Sequence, residues 1–415
     1  MTAGAPMSDI STAPADLARL RADLSSTAPA ESHWREIDAL RERHRYFWNE
    51  EAQGYWVLTR YEDIREAFQT PEVFSNHSIV ATNPDPAYRF LPSFTDPPIH
   101  MKYRQPMNPW FSPGSVARLE PRLRELARAE VEAIAAAGRG DYMSTFADRF
   151  PVAGFLASMG LPMNDADLFV SIAHRMSGAA GGAPEAVAQM TAAWAELAAY
   201  WTDMLADRRA DPLDPTVDFL TMMSDARLGD QPMPDIDVVD IMVTLTLGSL
   251  DTLKSQLGWQ MWHLARNPDD RARLVAEPAL IPSAVEEFLR AYPIVSMARK
   301  VTRDVDFHGC PMKKDDMVLL TIQAATRDPR VFPDPEQVKI DRSPNRHIAF
   351  GASEHRCIGS HLARAELRLA LEEWLRLIPE FEVDASDPLP AKGGQVALLE
   401  LPLVWTPARP PVRRR

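Results

Sequence analysis

Residues Phe350 to Gly359 read Phe-Gly-Ala-Ser-Glu-His-Arg-Cys-Ile-Gly, and Cys357 is the most informative residue among them. Cys357 follows a glycine-bearing turn and precedes a long amphipathic run, so we expect it at a helix N-terminus. The dipole and the free backbone N–H groups of a first helical turn favour a negative charge. Such a position suits a thiolate, the form of cysteine that ligates metals or attacks electrophiles.

A single cysteine is compatible with three kinds of site. Free cysteine packs like a small hydrophobic residue, so a buried structural role is the ordinary alternative. A zinc or iron–sulfur site needs several clustered ligands, and the chain has only two cysteines, Cys310 and Cys357. A haem iron with one axial thiolate needs one cysteine only. The cysteine count therefore disfavours zinc and iron–sulfur sites and leaves the structural and haem roles open.

The residues around Cys357 resemble the haem-ligand loop of the cytochromes P-450, the haem-thiolate monooxygenases. The resemblance rests on this pattern: Phe350-Gly351, His355, Cys357, Gly359 and His361-Leu362-Ala363-Arg364. It implies haem b as the cofactor, Cys357 as the ligand of the iron and Phe350 as part of the haem-binding loop. One departure is Ser353, where the family usually has glycine, which indicates a backbone angle that serine tolerates poorly.

Length and periodicity predict one large domain. The chain has 415 residues, of which 46% are hydrophobic, enough for a sizeable core. Helical periodicity dominates after residue 100, and the longest candidate helix covers 236–266. Residues 54–59 read as a strand followed by a short helix over 61–68, and the alternating segment 301–322 predicts strands and a turn. We therefore expect a mainly α protein with small β-sheets, which the resemblance identifies as the cytochrome P-450 fold with a long central helix over the haem.

The domain boundaries are read from composition. We expect a flexible N-terminal arm over 1–30, a single haem-binding monooxygenase domain over 31–407 and a basic tail over 408–415. A glycine-containing flexible link is predicted at 178–184 between two helices. The segment 327–346 carries four prolines and should be irregular, and such a segment in a compact protein is usually functional or held by specific contacts.

Net charge and hydropathy limit the classes of partner that this protein is expected to bind. The net charge of −13 makes nucleic acid an unlikely partner. No segment reaches the roughly 18 uninterrupted apolar residues of a membrane span, and the first residues lack a signal-peptide core. Two cysteines do not make a disulfide framework. We expect a cytoplasmic protein without membrane contact, which within the resemblance is the soluble bacterial class.

Three residues are expected to have a structural role. Glu287 and Arg290 lie three residues apart on a predicted helix and can pair, which on its own indicates an ordinary surface ion pair. With the Cys357 loop, the two resemble the Glu-x-x-Arg signature of the family, and Arg342 matches its third member. The resemblance implies that this trio holds the irregular segment before the cysteine loop.

A second set is expected to bind the haem propionates. His100 and Arg104 are four residues apart, and the alternative is an ordinary helix surface. The resemblance implies that both reach the propionates, with His355 and Arg299 as the remaining contacts. Carboxylates favour cationic, hydrogen-bonding partners, and a dianionic cofactor buried in an acidic protein needs such compensation.

The long helix carries the candidate catalytic pair, Asp251 and Thr252. The Gly248-Ser249 pair lowers helix propensity and favours a local distortion. An acid beside a hydroxyl in an apolar helix costs stability unless it is solvated or used, and a kinked buried helix with one satisfied Asp is the alternative. The resemblance implies that Thr252 hydrogen-bonds the oxygen species and that Asp251 relays protons. Ser249 and Lys254 depart from the family pattern, and we expect Lys254 to point away from the haem.

The substrate pocket is expected from the resemblance, which covers about residues 54–405 and looks closest to the camphor-hydroxylating type. Tyr88, in the proline-rich loop 87–98, matches a tyrosine that hydrogen-bonds a substrate ketone, although a tyrosine in such a loop is usually a surface or packing residue. Ser177 is a further candidate. The other expected pocket residues are Thr244, Leu247, Gly248, Val295, Met297 and Val396.

The resemblance implies a haem-thiolate monooxygenase that inserts one oxygen atom from O2 into a small hydrophobic substrate, a terpenoid first and a small aromatic next. We expect a separate two-iron two-sulfur ferredoxin, reduced by NAD(P)H through a reductase, to supply the electrons and to dock on basic residues. Those residues are Lys102, Arg104, Arg346 and Arg356. The alternatives are a peroxide-driven haem peroxygenase and a non-catalytic haem ligand binder or sensor.

Overall fold

The computed structural model describes residues 17–177, 184–385 and 388–407. Within these residues the chain forms thirteen α-helices and sixteen short strands. The helices are α1 Ser32–Arg43, α2 Tyr61–Phe68, α3 Ile99–Met107, α4 Pro113–Ala135, α5 Arg149–Met159, α6 Ala166–Ser177, α7 Pro184–Ala210, α8 Phe219–Ser224, α9 Asp235–Arg266, α10 Pro268–Ala276, α11 Ile281–Ala291, α12 Ile322–Ala325 and α13 Ser360–Leu377. A π-helical turn at Met143–Ala147 precedes α5.

The strands are short and form small sheets. They are β1 Arg19–Leu20, β2 Thr27–Pro29, β3 Tyr46–Asn49, β4 Tyr55–Leu58, β5 Phe74–Ser75, β6 Arg139–Asp141, β7 Arg227–Leu228, β8 Gln231–Pro232, β9 Met297–Val301, β10 Val305–Phe307, β11 Cys310–Met312, β12 Met317–Leu320, β13 Phe381–Val383, β14 Pro390–Lys392, β15 Ala397–Leu398 and β16 Pro402–Trp405. The largest sheet has the order β1-β3-β4-β12-β9-β5, so distant parts of the chain meet in it.

The helix α9 runs through the centre of the molecule. Apolar residues lie on nearly all sides of this 32-residue helix, and most of its side chains are buried. A helix that is apolar on nearly all faces must be surrounded by other elements. The first half of α9 packs in one hydrophobic core with α5, α6, α7 and α8, and its second half packs in another with α11, α13 and β16.

Most predicted elements are confirmed. The helix predicted after residue 60 has the predicted bounds as α2, and the long candidate 236–266 is α9. The predicted strands at 54–59 and 301–322 are present as β4 and β10–β12. The irregular segment 327–346 contains neither helix nor strand.

The predicted arm over 1–30 does not hold for its described part. β1 pairs with β3, and β2 pairs with β14 near the C-terminus, so residues 17–30 are bound to the folded protein. Composition alone did not indicate this pairing, since short strands of two or three residues carry no clear alternation. Residues 1–16, the link at 178–183 and the tail 408–415 lie outside the described residues.

Candidate functional site

Cys357 lies in a loop just before α13. Its backbone N–H donates to Phe350 O at 2.9 Å, and Ser360 N–H donates to Cys357 O at 3.4 Å, so the loop closes on itself before the helix begins. Phe350 also packs under the Arg364 guanidinium, 4.6 Å from its ring centroid. The loop therefore holds Cys357 beside the N-terminus of α13, as the sequence predicts.

The thiol of Cys357 is subject to opposing influences. Burial among the surrounding atoms is the largest influence and raises the pKa of the Cys357 thiol overall, although the residue is exposed. The backbone N–H of Gly359 and the charges of Arg104, Arg356 and Arg364 act in the opposite direction and lower the pKa. These donors and cations stabilise a thiolate, the form that binds iron.

Ser353 has the unusual backbone angle expected at its position. Its φ of 63° lies in the left-handed region, which non-glycine residues rarely adopt. The side-chain hydroxyl of Ser353 donates to the neighbouring Glu354 carboxylate. The short polar side chain is thus accommodated in a conformation that glycine would adopt without strain.

His100, Arg104, Arg299 and His355 come together from three parts of the chain: α3, β9 and the loop before α13. The rings of His100 and His355 lie 3.8 Å apart between centroids. Burial lowers the pKa of His100 to about 4 and that of His355 to about 2. Burial also lowers the pKa of Arg299 to about 10 and shifts that of Arg104 downward. The structure therefore brings basic, hydrogen-bond-donating side chains together at a buried place, where burial disfavours their positive charge.

These donors fit the two carboxylates of a haem. His100 Nδ1 and His355 Nε2 are buried without a hydrogen-bond partner. Arg299 donates to Ala298 O, and Arg104 donates to Arg356 O, while neither forms an ion pair within the described part of the chain. Buried polar atoms without partners are rare and need an explanation. Two propionate groups would supply the missing acceptors and the missing negative charge.

One face of α9 carries the candidate catalytic residues. Thr244, Gly248, Asp251 and Thr252 follow one another at helical spacing, and Thr252 Oγ1 donates to Gly248 O at 2.7 Å. A Cβ added at Gly248 would meet nothing within 4 Å, so this face is open there. Asp251 Oδ2 lies 3.5 Å from Lys392 Nζ of β14. Asp251 and Thr252 are thus neighbours, and each has its own polar partner: Lys392 for the carboxylate and Gly248 O for the hydroxyl.

Many known proteins are similar to this chain in sequence or in fold. A family model described as cytochrome P450 matches residues 183–406. The probable cytochrome P450 127A1 of Sinorhizobium fredii is 34% identical, over 86% of this chain and 84% of that protein. The mycinamicin IV hydroxylase/epoxidase of Micromonospora griseorubida is 32% identical, over 84% and 89% of the two chains.

The chain belongs to the cytochrome P450 family. The solved structure of CYP101J2 superposes with a TM-score of 0.85 at 29% identity, covering 95% of this chain and 98% of that one. The predicted fold class is therefore confirmed, and the chain is a P450 monooxygenase whose family implies a haem cofactor. None of the described helices is long and apolar enough to cross a membrane.

The P450 trio of Glu287, Arg290 and Arg342 forms one buried network. Arg290 donates to both carboxylate oxygens of Glu287, at 2.8 and 2.7 Å, and both side chains are fully buried. Arg342 Nε lies 3.0 Å from each of the same oxygens. Arg290 also donates to the carbonyl oxygen of Pro335 at 2.8 Å, and Arg342 to that of Pro333 at 2.8 Å. The network therefore holds the irregular segment 327–346 by its backbone.

The expected pocket residues fall into three groups. Thr244, Leu247 and Gly248 share the α9 face, and Thr244 Oγ1 donates to Asp240 O. Val396 N–H donates to Ile294 O at 2.8 Å, which brings the segment of Val295 and Met297 beside the β14–β15 hairpin. The side chain of Val396 belongs to a buried hydrophobic core.

Tyr88 forms the third group, on the loop between β5 and α3. Its ring contacts Phe94 and Trp194, with centroids 5.7 and 5.1 Å away. Burial raises the pKa of Tyr88, and a hydrogen bond with Asn83 opposes that change. The two rings that contact Tyr88 therefore belong to its own loop and to α7, which carries Trp194. The side chain of Ser177 is not described.

The sequence did not indicate the position of several charged residues near the site. Glu286 binds Arg364, at 2.5 Å, and His347, at 2.9 Å, beside the trio. Arg364 is part of the pattern that carries the resemblance, but neither Glu286 nor His347 is. Lys392 and Asp148, the partner of Lys254, come from distant parts of the chain, and no local pattern indicated them.

Proposed function

We propose that this P450 inserts one atom of O2 into a C–H bond or double bond of a small hydrophobic substrate. A terpenoid is the first candidate class and a small aromatic the second. Electrons would come from a separate ferredoxin. When bound, the haem supplies oxygen activation, favoured by electron donation from an axial thiolate. The chain contributes binding of that cofactor, orientation of the substrate and controlled proton delivery.

Cys357 would hold the iron, and His100, Arg104, Arg299 and His355 would hold the propionates. The unpartnered nitrogens of His100 and His355 support this assignment, since they need acceptors that the described protein does not provide. Cationic partners at a carboxylate also form shorter and stronger hydrogen bonds than neutral ones do.

The observation that carries the proposed reaction is the α9 face. Asp251 and Thr252 lie next to Gly248, above which the structure leaves open space. A hydroxyl at this place would hold a proton for the oxygen chemistry that the haem would supply, and a neighbouring carboxylate can return protons to the hydroxyl.

The expected substrate class is supported by an aromatic cluster between the loop that precedes α3 and the helix α7. Tyr88 and Phe90 each contact Phe94 of the same loop and Trp194 of α7, with ring centroids 5.1 to 6.0 Å apart. Aromatic side chains bury large apolar areas, and the Tyr88 hydroxyl adds one polar group that can orient a ligand. The name of the Micromonospora griseorubida relative, a hydroxylase/epoxidase, supports oxygen insertion at both C–H and double bonds.

An acidic two-iron two-sulfur ferredoxin, reduced by NAD(P)H through its reductase, is the proposed electron donor. Lys102, Arg346 and Arg356 are exposed near the Cys357 loop and could steer an acidic partner. Arg104, which we included in this set, is partly buried and turned toward the loop, so it belongs with the haem contacts. Both cysteines are free, which supports a cytoplasmic location.

A ligand screen followed by turnover tests the proposal. Terpenoids and small aromatics are added to the ferric holoenzyme, and displacement of the distal water is followed by the haem spin-state shift. Ligands that shift the spectrum are then incubated with ferredoxin, reductase, NADH and O2, or with hydrogen peroxide alone. Product that requires ferredoxin and O2 supports the proposal. Equal product from peroxide alone indicates a peroxygenase, and tight binding without product indicates a ligand binder.

A further inference from the structure

Two ion pairs meet at one carboxylate beside α9. Asp148 follows the π-helical turn and lies 2.5 Å from Lys254 Nζ and 2.9 Å from His174 Nε2. Lys254 is on α9, three residues after Asp251, and His174 is on α6. The three side chains therefore connect α6 to α9 next to the acid of the proposed catalytic pair.

A small cavity lies against these charges. Its polar lining consists of Asp148, His174, Asp251 and Lys254. Its apolar lining consists of Ala147, Val152, Val170, Ala173 and Leu250. The cavity has room for about one water molecule, and its polar groups provide the two to four partners that a buried water needs.

The cavity lies between solvent and a shielded acid. The His174 side chain is 51% exposed, whereas that of Asp148 is 10% exposed and that of Asp251 is 24% exposed. A group that exchanges protons readily with bulk water thus lies on one side of the cavity, and the proposed relay acid lies on the other. The opposite side of Asp251 faces Lys392 of β14, the competing charged group.

We propose that protons reach Asp251 from solvent through His174 and a water molecule in this cavity, with Asp148 and Lys254 as positioning residues. This proposal rests on the proposed role of Asp251 and Thr252. Imidazole suits such transfer because its two nitrogens can accept and release protons near neutral pH. His174 takes one proton from bulk water and releases one into the cavity. The water accepts that proton as it donates another to Asp251 and is thereby regenerated. The ring takes up its proton at one nitrogen and releases one from the other, and exchange of its N–H protons with solvent restores the starting tautomer.

The two positioning residues hold this arrangement. Asp148 accepts a hydrogen bond from His174 Nε2 and so holds the imidazole at the cavity. Lys254 holds Asp148 in turn and offsets its charge, so that the ring stays oriented. The departure of Lys254 from the family pattern thereby receives a role, and its side chain is directed to the α6 side of the helix.

The test fills the cavity without touching its charged groups. Ala173→Val should occupy the space of the water, and Val170→Ala is the matched control, since it enlarges the same cavity. The first readout is a high-resolution crystal structure of the ferric holoenzyme. We expect an ordered water between Asp251 and the His174–Asp148 pair in the native protein and in Val170→Ala, and none in Ala173→Val. A native cavity without water would overturn the proposal.

The second readout is the use of electrons with a substrate from the screen. Ala173→Val and His174→Gln should give several-fold less product per NADH, more hydrogen peroxide and a larger solvent deuterium isotope effect. Haem content and substrate spin shift should stay native. If Ala173→Val does not fold, His174→Gln carries the test, because it keeps the size of the side chain and loses its proton exchange.

Three results distinguish a failure of this proton route from a failure of the proposed function. If Thr252→Ala lowers product per NADH while Ala173→Val and His174→Gln do not, the proposed function stands and this route is wrong. If Lys392→Met lowers product per NADH and His174→Gln does not, protons arrive from the side of the β14–β15 hairpin and the proposed route is again wrong. If Thr252→Ala itself has no effect, the proposed role of the acid and hydroxyl pair fails first.

Discussion

The imidazole rings of His100 and His355 lie 3.8 Å apart, and each has one buried nitrogen without a hydrogen-bond partner. Each buried polar atom without a partner costs about 1–3 kcal/mol, and here two of them lie side by side. The guanidinium of Arg299, almost fully buried, contributes to the same electrostatic environment. The arrangement is explained if the site binds a dianionic cofactor.

The Glu287–Arg290 pair should stabilise the fold strongly. Arg290→Met leaves the Glu287 carboxylate with Arg342 as its remaining cation and removes hydrogen bonds to the 327–346 segment. We expect the free energy of unfolding in urea to fall by about 3 kcal/mol, as for a broken buried ion pair. Arg122→Met, which removes an exposed pair with Glu125, should cost less than about 1 kcal/mol. Equal effects of the two substitutions would contradict the account.

Glu366 should make stability depend on pH. Burial in α13 raises its pKa to about 8, and a Cβ at Gly154 of α5 would lie 2.2 Å from its Oε1, so the two helices enclose the carboxyl group. The folded protein therefore binds more protons than the unfolded chain between about pH 4.5 and 8, and its stability decreases as pH rises through that window.

The matched variant for this effect is Glu366→Gln, which stays neutral. Its free energy of unfolding in urea, relative to the native chain, should rise by a few kcal/mol from about pH 5 to 8. Glu372→Gln, on the same helix and more exposed, should follow the native pH dependence. A native-like pH dependence in Glu366→Gln would show that another group is responsible.

Thr252 should control how electrons are used. Thr252→Ala removes the hydroxyl on the open α9 face but leaves the helix intact, so NADH consumption should continue while several-fold more of it yields hydrogen peroxide. Thr246→Val is the control, because Thr246 lies on a buried face of α9 and bonds to Met242 O. Product and peroxide per NADH are measured for both. An unchanged product ratio in Thr252→Ala would remove Thr252 from the proton relay.

Tyr88 should contribute one hydrogen bond to substrate binding. Tyr88→Phe keeps the ring contacts with Phe94 and Trp194 and removes only the hydroxyl. A carbonyl-bearing ligand should bind about fivefold more weakly, since a hydrogen bond contributes about 0.5–1.5 kcal/mol. Its hydrocarbon analogue should bind equally well to both proteins. The spin-state titration measures both affinities, and no loss for the carbonyl ligand would exclude Tyr88 from the pocket.

Prediction from the sequence was most accurate for features that a local motif or a long periodic pattern indicates. The α2 bounds and the course of α9 follow from periodicity, and the position of Cys357 before α13 follows from the turn and amphipathic run that flank it. The pairing within the trio was expected from the helical spacing of Glu287 and Arg290 together with the resemblance. These features depend on few distant contacts.

The features that were missed depend on tertiary contacts. The pairing of β2 with β14 joins segments at opposite ends of the chain, and strands so short carry no alternation. Lys392 meets Asp251 only because the β14–β15 hairpin lies against α9, where Gln395 also bonds Ser255. Asp148 has no local signal, since its partners come from α6 and α9. Such contacts are set by the packing of whole elements.

The ligation of the iron by Cys357 is the central claim, and the absorption spectrum of the reduced carbon monoxide complex tests it most directly. The native holoenzyme should show the strongly red-shifted band of a thiolate-ligated haem. Cys357→His should bind haem without that band, whereas Cys310→Ala, which changes the other, buried cysteine, should retain it. Retention of the red-shifted band in Cys357→His would contradict the account.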